Sequence, residues 1–536
     1  MGLVLTEDGK GIDWRDAVGP AAIALVALWA LSRSWAFGPD IQVDFGRELY
    51  VPWRLVAGAR LYEDVAFFNG PLSVYWHALW FEIAGVGLQA IKISNLLIAG
   101  LIAGLIYKLT TRLADAVAAT AATLLFVGAI AFGQFQPIAN YNYLTPYSHE
   151  LVHGVALSLF ALLWFAKQSQ GGERARTPVL LGALLGLVFF TKIEVFAALS
   201  AALGTGIALE LWLKARLRAQ ATRWLLRFVC GFGAVIVVGL IALAAMVGAA
   251  AAIAGVFEPV RAIFATDVTS LPYYRWVMGT ADVAKSLRDI AQWHLYYAAV
   301  LLPLIGLAFA VAAFGRSRGK GNKESGKKGK GKTKSKESQI ALRRVASERE
   351  NRIAGALGLV FVVLAVVFPL APDWAVRSIR PLPVLVPLAI IGLVVRMLRV
   401  KNAAYIPHVC VLVFGFALQS KMLLNAQFGH YGFALLLPSA LALVVALVSV
   451  APMAIERAGG SGAIFRLGAC ALVFAVALGL NERTEANRAR RTQPVGRDAD
   501  VMISDFRAMD VTRALAWLAE TESEATVAVL PEGVML

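Results

Sequence analysis

The sequence predicts an all-α, polytopic membrane protein. Three observations carry this. Hydrophobic residues make up 59% of the 536-residue chain and charged residues only 16%, with a mean hydropathy of +0.67; a soluble chain carries about 25% charged residues. The apolar runs last about 20 residues, the length at which a helix crosses a bilayer. They are rich in Ala, Leu, Val and Gly, as packed membrane helices are, and they do not alternate apolar and polar residues as barrel strands do.

About thirteen spans are predicted, at 18–36, 89–108, 114–134, 151–168, 178–191, 194–213, 228–254, 295–314, 354–371, 381–397, 403–419, 432–451 and 465–480. The N-terminal stretch before the first of them is mixed in charge and lacks the pattern of a cleavable signal peptide, so the first helix is expected to stay as an anchor. The runs 178–191 and 194–213 are separated only by Lys192 and nearby polar residues, which leaves a tight hairpin or one broken unit.

Between the first two spans lies a polar stretch, residues 37–88. It holds Asp40, Asp44, Arg47, Glu48, Arg54, Arg60, Glu63 and Asp64, with ten aromatic residues from Phe37 to Trp80. Turn signals at Ala57-Gly58 and Asn69-Gly70-Pro71 divide it into two short amphipathic helices lying at the membrane surface.

Lys and Arg are unevenly shared among the connections, and the positive-inside rule orients the chain from that bias. With the N-terminus in the cytoplasm, Lys108, Arg112, Arg174, Arg176, Lys214, Arg216, Arg218, Arg396, Arg399, Lys401 and the basic run 316–344 lie inside. Segments 37–88, 135–150, 255–294, 372–380, 420–431 and 481–536 then face outward. Arg483, Arg488, Arg490, Arg491 and Arg497 run against the rule. The basic run supplies +10 of the formal +16 charge, so the excess is local and does not argue for nucleic acid. Residues 316–338, low-complexity Lys/Gly/Ser, read as a disordered linker that fixes orientation or meets anionic headgroups. Cys230, Cys410 and Cys470 sit in apolar runs without metal or disulfide spacing and read as small core residues. The C-terminal tail, 481–536, carries a short helix at 510–520 and a strand-like run at 525–530. Such a pair forms no core alone; it packs on the outer face, or begins a small α/β domain.

Five constellations are candidates for chemistry. Asp44 lies just beyond the first span, with Arg47 and Glu48 following it. A carboxylate beside apolar surface has a shifted proton affinity, which suits a general base, and equally a helix cap or a salt bridge. His149, Glu150 and His153 form a literal HExxH, with both histidines on one helix face at zinc-ligand spacing. No convincing third ligand follows. Lys192 and Glu194 sit between apolar spans, where charges pair with each other or face a polar cavity. Arg275, in Tyr273-Tyr274-Arg275-Trp276, is the residue of outer loop 255–294 best suited to a phosphate or an acidic sugar. Lys421, His430 and Tyr431 lie in a further outer loop. No Walker-type loop and no G-x-G-x-x-G after a strand is present, which argues against an ATP-driven pump and a soluble nucleotide-sugar enzyme.

The stretch from Asp44 through Phe81, together with 140–154, 186–199 and 428–438, resembles the GT-C superfamily of polytopic glycosyltransferases. That group includes protein mannosyltransferases, the aminoarabinose transferase of lipid A and bacterial Rgt-like transferases. The resemblance implies a GT-C-like bundle (residues 1–480) whose first outer loop carries two surface helices. It implies a multi-pass protein of the bacterial inner membrane, with a cytoplasmic N-terminus and a periplasmic C-terminus. It further implies transfer of a hexosyl or pentosyl unit, with inversion, from a polyprenyl-phosphate donor to a glycan, lipid or protein acceptor on the periplasmic side. Asp44 then matches the catalytic carboxylate. Arg47, Glu48, Lys192, Glu194, Arg275, Lys421, His430 and Tyr431 become candidates for binding donor phosphate or substrate. His149, Glu150 and His153 become tentative ligands of a divalent metal ion, and membrane lipids are the remaining partners. Two other readings stand beside it: a transporter or flippase of a lipid-linked or small polar substrate, and a HExxH membrane metalloprotease. No internal repeat of the transporter kind is evident, and the titratable residues gather at outer-loop depth.

Overall fold

A computed structural model describes residues 14–171, 176–214, 218, 220–265, 270–325 and 373–520. Among the described residues, ten helices are long and apolar enough to cross a membrane, and Ala116–Ile130 and Thr177–Phe189 are shorter apolar helices. Predicted span 354–371 lies outside the described residues; the other predicted spans are helical, though 228–254 and 432–451 are each divided between helices.

The helices that place the site come early. Helix α1 (Trp14–Ser34) ends at the polar stretch, which folds as α2 (Phe45–Val56) and α3 (Leu72–Ala84). Helices α4 (Leu88–Leu113), α5 (Ala116–Leu125, continued by a π turn to Ile130) and α6 (His149–Gly171) follow. Next come α7 (Thr177–Phe189), α8 (Ile193–Leu213), α9 (Ala221–Val247) and α10 (Ala249–Ala265). Two short helices thus stand where the sequence predicts them between the first two spans. Helix α2 is amphipathic as expected. Helix α3 buries Ser73, Val74, His77 and Phe81, yet its other side carries exposed Trp76, Leu79 and Ile83. An apolar side left open beside membrane helices suits the headgroup boundary.

Helices α7 and α8 form a tight hairpin. The far end of α8 returns to α6, where Lys214 Nζ donates to Ser169 O at 3.2 Å. Helices α7 and α9 touch backbone to backbone: a Cβ on Gly182 would lie 2.0 Å from Phe228 O, and one on Gly231 2.1 Å from Val179 O. Small residues permit such contact where lipid supplies no hydrophobic drive between helices. The outer surface of α9 is apolar, with Leu226, Val229, Val238 and Ile241 exposed. Cys410 is buried against Gly206, as a small core residue is.

Two sequence expectations change. Predicted span 228–254 breaks at Gly248, whose φ of +88° a side chain would strain, so α10 is a separate helix after the break. Helix α12 (Val283–Ser325), preceded by α11 (Pro272–Met278), runs into the Lys/Gly segment expected to be disordered. Extending an existing helix avoids the cost of nucleation, so a poor sequence can prolong it. The rest of that basic segment lies outside the described residues.

The bundle is completed by α13 (Leu382–Val400), α14 (Ile406–Gln419), α15 (Leu437–Val445) and α16 (Gly462–Arg488). The tail then adds an antiparallel pair, β1 (Gln493–Val495) and β2 (Met502–Ser504), and α17 (Ala508–Glu520). The two strands were not expected from the sequence; the strand-like run 525–530 lies outside the described residues. The tail packs on the first outer loop. Ile503 N donates to Ala36 O at 2.9 Å, and Ile41, Phe45, Phe81, Val495, Met502 and Val511 share one small core. Arginines that run against the charge rule serve this junction. Arg488 donates to Ser34 Oγ (2.6 Å) and Phe132 O (2.8 Å), and Arg491 to Gly38 O (2.6 Å). They satisfy helix-end and loop carbonyls, a demand that outweighs a weak, late topogenic signal.

Candidate active site

Asp44 is the N-cap of α2 and sits in a strained turn. Its φ is 60° and its ψ −37°, and Phe45 N donates to Val43 O at 2.7 Å across it. A donor–acceptor pair two residues apart around a positive φ is the rare form of γ-turn. Such strain persists only where the surroundings over-determine it, and here they do. Asn140, fully buried, accepts from Asp40 N at 2.6 Å and donates to Val43 O, clamping both ends of the turn. The Asp40 carboxylate accepts from Gln42 N and Val43 N, each at 3.0 Å, and from Arg507 of the tail at 2.6 Å.

One turn into α2, Arg47 pairs with Glu48 and donates to Tyr147 O at 2.9 Å. Glu48 also pairs with His149 at the start of α6. Burial alone would raise the Glu48 carboxyl, but Arg47 and His149 beside it outweigh that and hold it at about 2. Arg47 is correspondingly raised against its own burial by Glu48, Glu150 and Asp44. His149 is fixed from both sides: Asn95 Nδ2 donates to Nε2 at 2.9 Å, which leaves the Nδ1 proton for Glu48. His77 packs on that ring at 4.0 Å, and burial lowers its proton affinity well below the ordinary imidazole value.

Glu150 accepts from Ser148 Oγ at 2.8 Å, and Ser148 Oγ accepts from Lys192 Nζ at 3.0 Å. Lys192 owes its place to the α7–α8 break. There the Asn69-Gly70-Pro71 turn docks, with Gly70 N donating to Thr191 O (2.8 Å) and Leu72 N to Phe190 O (3.0 Å). A Cβ on Gly70 would lie 2.2 Å from the Phe190 carbonyl, so the docking requires glycine. Glu194 is 4.0 Å from Lys192 but 3.1 Å from Lys421, so its closer partner is the cation of the later outer loop. Lys421 lies over the Tyr431 ring at 4.7 Å, and Lys192 over the Tyr147 ring at 5.4 Å. Tyr147 and Tyr431 pack on each other, and Tyr273 OH meets His430 Nε2 at 2.6 Å and Tyr431 OH at 3.2 Å. Burial and Lys421 push the His430 imidazole down to about 4, so it is neutral at pH 7.

The sequence-predicted residues therefore meet. Arg47, Glu48, His149, Glu150, Lys192, Glu194, Lys421, His430 and Tyr431 form one polar cluster, and Asp44 caps the helix that carries Arg47 and Glu48. Arg275 does not join. It is exposed on α11, while its neighbour Tyr273 makes the contact. Sequence reasoning missed His77, Asn95, Tyr147 and the support that Asp40 and Arg507 give. Asn95, a buried amide within a membrane span, is a signal that could have been read. Arg507 has none, because its role depends on contact with a loop far away in sequence.

Of the HExxH residues, His149 has both ring nitrogens bonded to protein partners, and His153 bonds Ser73 Oγ through Nδ1 at 3.0 Å. His153 Nε2 and Glu150 Oε1 are buried without a hydrogen-bond partner among the described residues. Among the described residues no three His, Cys, Asp or Glu side chains are grouped as metal ligands.

The depressed Glu48 carboxyl has a measurable consequence. Its stabilising effect is complete above its unfolded value of 4.5 and is lost as pH falls through about 2. The gap in unfolding free energy between wild type and Glu48→Gln is expected on the order of 3 kcal/mol near neutral pH, with more than half gone by about pH 3. Thermal unfolding in detergent across that range measures it. A gap independent of pH would show that the charge on Glu48 is not what is lost.

No protein-family model and no curated protein matches the sequence. Solved structures do resemble it. The oligosaccharyltransferase of Archaeoglobus fulgidus tethered with an acceptor peptide aligns with 94% of this chain and 57% of its own, at 14% identity and a TM-score of 0.47. The same enzyme in complex with zinc and sulfate aligns with 94% of this chain and 55% of its own, at 15% identity and a TM-score of 0.45. ArnT from Cupriavidus metallidurans bound to undecaprenyl phosphate aligns with 80% of this chain and 77% of its own, at 14% identity and a TM-score of 0.32. The chain thus spans less than two thirds of the archaeal proteins it resembles, and the likenesses are in helix arrangement at low identity.

Proposed function

We propose that this protein is a membrane glycosyltransferase that moves a sugar from a polyprenyl-phosphate donor to an acceptor at the outer face of the membrane. The observation that carries the reading is Asp44. A carboxylate sits in a strained turn at the start of α2, after a buried, hydrogen-bonded lead-in, and the same helix carries Arg47 into the polar cluster. The donor's lipid lies among helices and its phosphate at the interface, so both substrates meet at this depth.

In this scheme the Asp44 carboxylate takes the proton of the acceptor hydroxyl. The acceptor oxygen bonds to the anomeric carbon as the bond from that carbon to the phosphate oxygen breaks. A single displacement of this kind inverts the anomeric centre. The leaving polyprenyl phosphate gains negative charge, which Lys192, Arg47 and Lys421 offset. Glu48 and His149 hold Arg47 in place, Glu194 holds Lys421, and His430 and Tyr431 wall the site. No step is routed through a metal.

The reading is tested by comparing the masses of cell-surface glycans and glycolipids made with wild-type protein, with Asp44→Asn and with neither. A unit that depends on the protein and on Asp44 supports it. Identical glycans in all three overturn it.

Arg507 acts on the base through Asp40 and is a positioning residue. Arg507→Gln is expected to lower kcat by about 10- to 100-fold with the KM for donor little changed, since small misplacements of a reacting group cost rates of this order. Steady-state kinetics checks it. A normal kcat, or a rise in KM alone, would remove Arg507 from this role.

A further inference from the structure

Beside the aromatic wall of the site is a polar cavity, of about 230 Å³, which the chemistry above does not use. It lies between the α11–α12 connection, the short helical turn Trp374–Arg377 with the residues after it, and the loop at 423–427. Its floor is Arg380, which is only 5% exposed. One guanidinium nitrogen of Arg380 donates to Leu424 O at a long 3.3 Å, and buried Nε has no partner. Arg377 stands beside it in the lining. Arg380 and Arg377 thus bring two guanidinium groups to one cavity, and a buried guanidinium whose donors are not all used favours an anion beside it.

The remaining lining is not that of a simple anion hole. Asp282, Asp289, Asn425 and Gln427 supply carboxylates and amides, the groups that bond sugar hydroxyls, and Lys285 stands among them. Trp276, half exposed, supplies an apolar ring face. The same ring packs against His430 at 6.0 Å, so the cavity abuts the wall of the candidate active site. Asn425 Nδ2 donates to Trp276 O at 3.2 Å and ties the two walls together.

We infer that this cavity is an acceptor subsite for a pyranose bearing a carboxylate, with Arg380 and Arg377 on the carboxylate and Trp276 under the ring. The inference rests on the transferase reading and deepens it by naming the acceptor class as an anionic glycan. It also moves the recognition of acidic sugar from Arg275, which is exposed on the neighbouring helix, to two arginines that line a cavity.

The test is a binding titration by saturation-transfer NMR on the full-length protein in detergent, with three probes. Methyl glucuronide carries ring and carboxylate, methyl glucoside the ring alone, and lactate the carboxylate alone. The uronide is expected to bind at least about tenfold more tightly than either other probe, because charge-assisted hydrogen bonds and ring contact act together. Arg380→Gln should weaken uronide binding by about 10- to 100-fold and bring it level with the glucoside. Arg377→Gln and Trp276→Ala change exposed or half-exposed side chains, and each should weaken it by about tenfold if Arg380→Gln fails to fold. Equal binding of uronide and glucoside, or uronide binding indifferent to all three lining substitutions, overturns the subsite. If the glycans stay Asp44-dependent while the uronide does not bind, the subsite alone fails. If the uronide binds as described but glycans do not depend on Asp44, the transferase reading fails and a sugar-binding site remains.

Discussion

On the transferase reading, Asp44→Asn is expected to abolish transfer while the protein still folds and inserts. The expected loss is about 10²- to 10⁴-fold in kcat, the range for removing a positioned general base. Asparagine isolates the charge here for a reason specific to this position. The backbone at residue 44 has a φ of 60°, a region that Asn and Asp enter more readily than other side chains. Alanine would strain the turn and confuse loss of the base with loss of geometry. The turn's other supports, the Asn140 clamp and the Asp40 carboxylate, do not involve the Asp44 side chain. Asp44→Asn should therefore keep the turn and bind donor with similar affinity. Turnover of a lipid-phosphate sugar by purified protein in detergent or liposomes is the measurement. A variant with wild-type turnover would move the base elsewhere in the polar cluster, with Glu150 the next carboxylate to test.

Much of this site was legible because its chemistry conflicts with its surroundings. Charged side chains in a chain so apolar stand out, and Asp44, Glu48, Lys192, Glu194 and Lys421 were all found that way. Two surface helices could be read from the turn residues Gly58 and Asn69-Gly70-Pro71. Their docking could not, because the bond from Gly70 N to Thr191 O joins segments distant in sequence. The same limit hid the tail's role. Strands β1 and β2 span only three residues each and gain their partner, the chain leaving α1, only in the folded state. HExxH shows the opposite failure. Its spacing is that of a zinc site, yet Glu48 and Asn95, contributed by other helices, occupy the ring nitrogens of His149. A local pattern states which groups share a helix face, and only the fold states what that face meets. Arg275 fell short for a related reason: a tight aromatic cluster marks a contact surface, but which of its members faces the site depends on the helix's rotation.

Lys192→Met is the second large effect, and it separates electrostatics from packing. Lys192 is 8% exposed, and the charged groups around it come from several elements: Glu194 on its own helix at 4.0 Å, Ser148 Oγ beside Glu150 on α6, and Lys421 across Glu194. Glu194 keeps Lys421 as a partner at 3.1 Å when Lys192 is lost, so no carboxylate is stranded there and the fold should survive. Methionine preserves length and the apolar contacts of the stem. What disappears is one positive charge at the place where the leaving phosphate gains negative charge. Removing a single preorganised stabiliser of developing charge costs about 10²- to 10³-fold in kcat. Because the ground-state donor already carries a phosphate, its KM should rise as well. This joint change distinguishes Lys192 from Asp44, whose loss should leave KM nearly unchanged, and from Arg507, which should alter kcat alone and less. Lys192→Arg restores charge but not shape, and a partial recovery of kcat is expected because the guanidinium cannot reach Ser148 Oγ with the same compact geometry. A Lys192→Met protein with normal kcat and KM would take this lysine out of the phosphate site and leave Arg47 and Lys421 as its cations.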